Sequence, residues 1–173
     1  MSDPDSEPEP PGFSSQEAAA LRSVGCQRKV PAQTILCQEG AATRSFFVLT
    51  SGKVEIGKII LGQPVALRDS GPGSVLGLMP AFDGSPCSVS IRTLEETTFI
   101  EVTPESLIAS LQNNSETCID LGIALTIQAI RGLRRSTDDL ALAIYRALRA
   151  PKGPAVVVDL AQVQAGNIAW LAA

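Results

Sequence analysis

The chain of 173 residues contains no histidine. That absence removes the imidazole base of Ser-His and Cys-His nucleophile pairs, and with it the ring nitrogens of most transition-metal sites. Cysteine is sparse, with Cys26, Cys37, Cys87 and Cys118 as the whole set. Their separations of 11, 50 and 31 residues form no Cys-x-x-Cys, the spacing that thiolate zinc knuckles and dithiol redox motifs use. Aromatic residues make up 4% of the chain, too few for a surface that stacks bases. No uncharged apolar run reaches the ~18 residues of a membrane span. The opening Met-Ser-Asp-Pro-Asp-Ser-Glu-Pro has neither the basic start nor the apolar core of a secretory signal. Together these absences predict a non-catalytic, metal-free domain in the cytoplasm, with its four cysteines as reduced thiols.

What is present is unevenly distributed. Residues 1–12 hold Asp3, Asp5, Glu7 and Glu9, four prolines and no base, a composition expected to stay disordered. This segment accounts for the whole net charge of -4, so the remainder is formally neutral. Ser14 and Glu17 form a capping box, with Phe13 placed as a hydrophobic staple, and a helix is expected to run from there to Val24. Gly25 suits its stop.

From about Arg28 to Val102 the pattern changes to short β segments. Residues 34–37, 45–49, 53–56, 64–67, 87–91 and 97–102 are rich in β-branched and aromatic side chains and are bounded by Gly, Pro, Asp or Ser. Their regular spacing predicts a β sandwich or jelly roll. Thr103-Pro104 then starts a short helix ending at Asn113-Asn114, and a longer helix is expected from about Glu116 to Arg135. Its apolar residues, among them Ile119, Ile123, Ile127 and Ile130, cover more than one stripe. One face is expected to pack on the barrel and another on a partner, with packing on its own barrel alone as the other reading. Arg131, Arg134 and Arg135 fall at the expected C-terminus of this helix, where cations oppose the dipole. They also form a candidate basic patch for an anion or partner. Beyond them, Ser136-Thr137-Asp138-Asp139 either continues that helix or caps a new one, and residues 136–173 read as a helical and apolar extension interrupted by Pro151-Lys152-Gly153-Pro154, with a strand-like run at 155–160 and a single tryptophan, Trp170.

An ordered set of glycines punctuates the β region: Gly40, Gly52, Gly73 and Gly77, the last two within Gly71-Pro72-Gly73-Ser74-Val75-Leu76-Gly77, followed by Pro86-Cys87-Ser88-Val89. This resembles the cyclic nucleotide-binding domain family, over roughly Val24 to Arg135. The resemblance implies a mainly β domain over 13–135: an eight-stranded jelly roll (double-stranded β-helix) with an N-terminal helix and C-terminal helices. It also implies a phosphate-binding cassette of pattern Phe-Gly-Glu-Leu-Ala, then Pro-Arg-Ser/Thr-Ala, in which the Glu binds the ribose hydroxyl and the Arg the cyclic phosphate. Residue by residue, Gly77 and Ser88 match that pattern and Met79 replaces a leucine. Leu78 stands where the Glu belongs, Cys87 where the Arg belongs, and Val89 at the small-residue position. These six residues are the candidate ligand site.

Two readings of the cassette follow. In one, Leu76, Leu78, Met79 and Phe82 fill the old pocket and the domain is a regulatory or protein-interaction module without normal cAMP or cGMP binding. In the other, the atypical cassette senses a ligand: a cyclic nucleotide, a cyclic dinucleotide or an apolar molecule. The expected partners are another protein or a second copy of the chain through the long helix. The resemblance implies that the long helix often forms the dimer interface. No helix-turn-helix is recognisable after Arg135, so direct DNA reading is not expected, and neither is membrane insertion.

Overall fold

The computed structural model describes residues 10–112 and 116–149. A first helix, α1 (Ser15–Val24), precedes the strands β1 (Cys26–Val30), β2 (Ile35–Cys37), β3 (Phe46–Ser51), β4 (Val54–Ile60), β5 (Gln63–Ser70) and β6 (Val75–Leu76). A short helix α2 (Leu78–Asp83) follows, then β7 (Ser90–Thr93), β8 (Thr97–Val102), α3 (Pro104–Gln112) and α4 (Glu116–Arg149). The capping box predicted at Ser14 and Glu17 is formed, which satisfies two otherwise orphaned amides at the start of α1.

The strands form two antiparallel four-stranded sheets, ordered β1-β8-β3-β6 and β2-β7-β4-β5. This is the expected eight-stranded jelly-roll sandwich. Its core has two compartments, and alternation along β3 explains both. Phe47 and Leu49 point between the sheets with Val54, Ile56, Ile91 and Phe99. Phe46 and Val48 point the other way, onto Leu21, Leu107, Leu121 and Leu125 of the helices. A strand buried on both faces must be apolar at consecutive positions, hence the unbroken Phe-Phe-Val-Leu.

Three sequence expectations change. β1 and β6 lie outside the predicted strands, because Cys26–Val30 is largely exposed and polar and Val75–Leu76 is only two residues long. The segment predicted as a strand at 87–91 enters the sheet only at Ser90, since its first residues serve the loop after α2. Finally, of the two readings of residues 136–139, continuation of the helix is the one formed: α4 runs past Arg135 to Arg149 without a break. A dipole effect is confined to the last turn. Arg131, Arg134 and Arg135 are therefore mid-helix, and capping of a helix end does not explain them.

At the other end of the described chain, Pro10 is fully buried, and Pro11 and Gly12 lie against the β5–β6 turn and α4. Gly73 of that turn has φ +81°, and a Cβ there would stand 2.1 Å from the Pro11 carbonyl oxygen. Glycine is thus required twice over, for its backbone angle and for this close approach. Residues 1–9, the Asn113-Asn114 helix end, the 155–160 run and Trp170 lie outside the described residues. Among the described residues, no helix is long and apolar enough to cross a membrane.

Candidate functional site

The cassette is built on a left-handed turn. Gly77, at φ +72° and ψ +13°, redirects the chain from β6 into α2, where its carbonyl accepts from the Ala81 amide at 3.2 Å. A residue with a side chain would strain that angle, which accounts for the glycine. No side chain caps the first turn of α2. Leu78, which the resemblance aligns with the family's glutamate, packs on the helix-side core. A carboxylate there would face apolar atoms. At the far end, the Asp83 carboxylate accepts both the Ser85 amide at 2.8 Å and the Ser85 hydroxyl at 2.6 Å, which hold its pKa below the ordinary aspartate value.

The loop after α2 is pinned from both sides. The Cys87 amide donates to the Ala41 carbonyl at 2.8 Å, and the Gly40 amide donates to the Cys87 carbonyl at 2.8 Å. The Cys87 side chain is buried and forms a disulfide with Cys37 of β2. This overturns the expectation of four reduced thiols: only Cys26 and Cys118 are free. The 50 residues between the partners hid the pairing, which arises because β2 and β7 are neighbours and the loop entering β7 passes over Cys37. Ser88 is exposed, and its carbonyl accepts from the Lys58 ammonium at 2.6 Å. Val89 packs on the core between the sheets.

A cavity of about 170 Å³ remains between this cassette and α4. Leu76, Leu78, Met79, Cys87, Ser88 and Val89 line one side, and Ala129, Gly132, Leu133 and Ser136 of α4 cover the other. The expectation that apolar side chains fill the pocket is corrected in part. Leu76 is buried, but Met79 and Phe82 are 57% and 49% exposed and leave the space open. Phe82 instead leans on Phe46, with ring centroids 6.1 Å apart.

One cation, Arg68, lines this cavity, and no motif in the sequence marks it. Arg68 of β5 lies directly across from Ile56, a core residue, and so shares its inward face. Simple alternation would have given that face to Val65 and Leu67. The register shift between Ile56 and Gly57 leaves Leu67 as an extra residue in β5, so the inward face passes from Val65, across from Lys58, to Arg68. Arg68 donates to Asp139 of α4 at 2.7 Å. Burial pulls the Arg68 pKa down, and Arg135 nearby adds to this while Asp139 opposes it. Arg92, the other arginine near the cassette in sequence, pairs with Glu55 at 3.0 Å and is not part of the cavity lining.

The remaining candidates separate. Ile119, Ile123, Ile127 and Ile130 form an exposed stripe on α4, while Leu121 and Leu125 on the opposite face enter the core. Arg131 and Arg135 line a second cavity together with Arg68, whereas Arg134 does not. Among the described residues, no group of three or more His, Cys, Asp or Glu side chains is placed to hold a metal ion.

Comparison with known proteins locates this architecture. The profile of a family described as "Cyclic nucleotide-binding domain" matches residues 27–114. A cyclic nucleotide-binding domain from Methylobacillus flagellatus KT superposes with a TM-score of 0.61 at 24% identity, covering 83% of this chain and 78% of that one. The c-di-GMP responsive global regulator CLP of Xanthomonas campestris gives a TM-score of 0.66 at 18% identity, over 80% of this chain and 66% of its own. The catabolite activator protein of Thermus thermophilus gives 0.59 at 22% identity, over 90% and 77%. These identities support a common fold. None of the curated protein sequences compared with the chain matches it.

Proposed function

Because this chain belongs to the cyclic nucleotide-binding domain family but holds Leu78 and a disulfide-bonded Cys87 in its cassette, we propose that it is a non-catalytic regulatory or protein-interaction module without normal cAMP or cGMP binding. The observation that carries this reading is the Cys37–Cys87 bridge. It occupies the cassette position from which the family's arginine meets the cyclic phosphate, and Leu78 supplies no acceptor for a ribose hydroxyl. A charge-assisted hydrogen bond contributes about 1.5–3 kcal/mol, and leaving a desolvated charge without its partner costs about 2–5 kcal/mol. Loss of the arginine alone therefore weakens a cyclic phosphate by roughly tenfold to a few thousandfold. The exposed isoleucines of α4 support association with a second copy or another protein. A cytoplasmic location fits the same role, with the bridge as a point against a strictly reducing compartment.

A second reading draws on the open cavity and on Arg68 within it: an atypical cassette that senses a different ligand. The c-di-GMP response of the Xanthomonas regulator makes a cyclic dinucleotide the natural probe. Calorimetric titration of the purified chain with cAMP, cGMP and cyclic di-GMP separates the two. The proposed function expects no heats in the micromolar range from cAMP or cGMP. Micromolar binding of either sinks it, and micromolar binding of cyclic di-GMP alone selects the second reading.

A further inference from the structure

Beside the cassette cavity lies a second one, of about 270 Å³. Its walls come from distant parts of the chain: Arg68 and Ser70 from β5, the β5–β6 turn, and Gln128, Arg131 and Arg135 from α4, with Pro11 and Gly12 at its rim. Ser70 is buried and Arg68 is largely covered, so this is a recess and not a flat basic surface. Its volume is close to the lower end of ligand pockets, ~300–1,000 Å³.

Its charge is unbalanced. Three guanidinium groups line it, and no Asp or Glu is among the lining residues. Asp139 is bound to the Nε of Arg68. Arg131 and Arg135, one helical turn apart, have no ion pair among the described residues. Nor are they helix-end cations, since α4 runs on to Arg149. Like charges held around a recess repel one another, and a multivalent anion relieves that repulsion. Guanidinium forks arriving from a strand and from a helix match the oxygens of a tetrahedral phosphate better than a single planar carboxylate. Ser70, Ser74 and Gln128 add neutral donors along the same walls.

We propose that the Arg68–Arg131–Arg135 cavity is an anion site that takes a small molecule bearing one or two phosphate groups, with Arg131 and Arg135 as the guanidinium groups that the cassette cavity does not share. A flat polyanion would lie across the exposed Arg134 of the same helix and not reach the largely covered Arg68, so a small anion is the better fit.

The test is calorimetric titration of the full chain with inorganic pyrophosphate as the probe. Saturable binding is expected, weakened about tenfold or more by either Arg131→Gln or Arg135→Gln, since each removes charge-assisted hydrogen bonds. Arg134→Gln is expected to change it less than twofold. All three sites are exposed, so unchanged thermal melts confirm that the variants are folded. No binding to the wild-type chain overturns the proposal, as does an equal loss with Arg134→Gln, which would mean diffuse surface attraction. Neutralising the four N-terminal acids (D3N, D5N, E7Q and E9Q) supplies the last arm, because these acids precede Pro11 and Gly12 in the sequence. Pyrophosphate binding that appears only in this variant assigns the recess to the chain's own acidic segment and overturns the proposal. The cassette reading stands or falls separately, on cAMP and cGMP.

Discussion

Arg68 and Asp139, 71 residues apart in sequence, meet at 2.7 Å and fasten the sheet edge to the middle of α4. Both side chains are about four-fifths covered, at 20% and 23% exposure. Asp139→Asn would leave a largely covered guanidinium facing Arg135 without its carboxylate. The expected cost is about 1–3 kcal/mol, seen as a lower melting temperature. The same substitution removes the negative charge nearest the arginine recess, so pyrophosphate affinity is expected to rise as stability falls. Calorimetry and thermal melts on one preparation check both signs, and a variant unchanged in stability would mean that the pair is not formed.

The Cys37–Cys87 bridge closes a loop across the sandwich. In the chain-entropy model a cross-link of that span contributes about 4 kcal/mol by restricting the unfolded chain. Cys37→Ser with Cys87→Ser, or reduction of the wild type, is expected to lower the midpoint of chemical denaturation accordingly. Alkylation of the unreduced, denatured chain should label two cysteines, Cys26 and Cys118. Labelling of all four would remove the bridge and its account of the cassette.

The exposed stripe Ile119, Ile123, Ile127 and Ile130 makes a definite expectation for self-association. If two copies pair along α4, Ile123→Glu with Ile130→Glu places charges in the seam and shifts a dimer to monomer by light scattering. Helix content should be retained, since neither residue is in the core. A wild-type chain that scatters as a monomer at high concentration removes the self-association.

Asp83 gives a pH signature. Its pKa is depressed by the Ser85 hydroxyl and amide, so its contribution to stability is present above the ordinary aspartate value, ~3.9. It is lost as pH falls through the lower, folded value. Ser85→Ala removes the hydroxyl and should move the Asp83 midpoint upward in an NMR titration, while destabilisation by acid begins at a higher pH. An unchanged midpoint would show that the hydroxyl bond to Asp83 is not made in solution.

The parts of the fold that local rules govern were readable. The capping box of α1 needs only Ser14 and Glu17 three residues apart, and Thr103 and Pro104 mark α3 in the same local way. β3 and β8 announced themselves because burial demands apolar β-formers. β1 and β6 did not, because an exposed edge and a two-residue strand place no such demand on composition. In the candidate site, Gly77, Leu78 and Cys87 were found by their order along the chain, whereas Arg68 was hidden by the extra residue Leu67 in its own strand.

The sequence by itself determined the jelly-roll class, since side-chain type and spacing are enough for that, and it put Leu78 and Cys87 where the resemblance expects a Glu and an Arg. It also excluded histidine chemistry outright. Only the tertiary structure decided that Cys87 is bonded to Cys37 and that Met79 and Phe82 leave a cavity open. It alone showed that Arg68, Arg131 and Arg135 surround one recess. The physical reason is common to all three. Each depends on residues brought together by strand pairing and helix docking over separations of 50 residues or more, or on the direction in which a side chain leaves the backbone, and no local pattern along the chain encodes either.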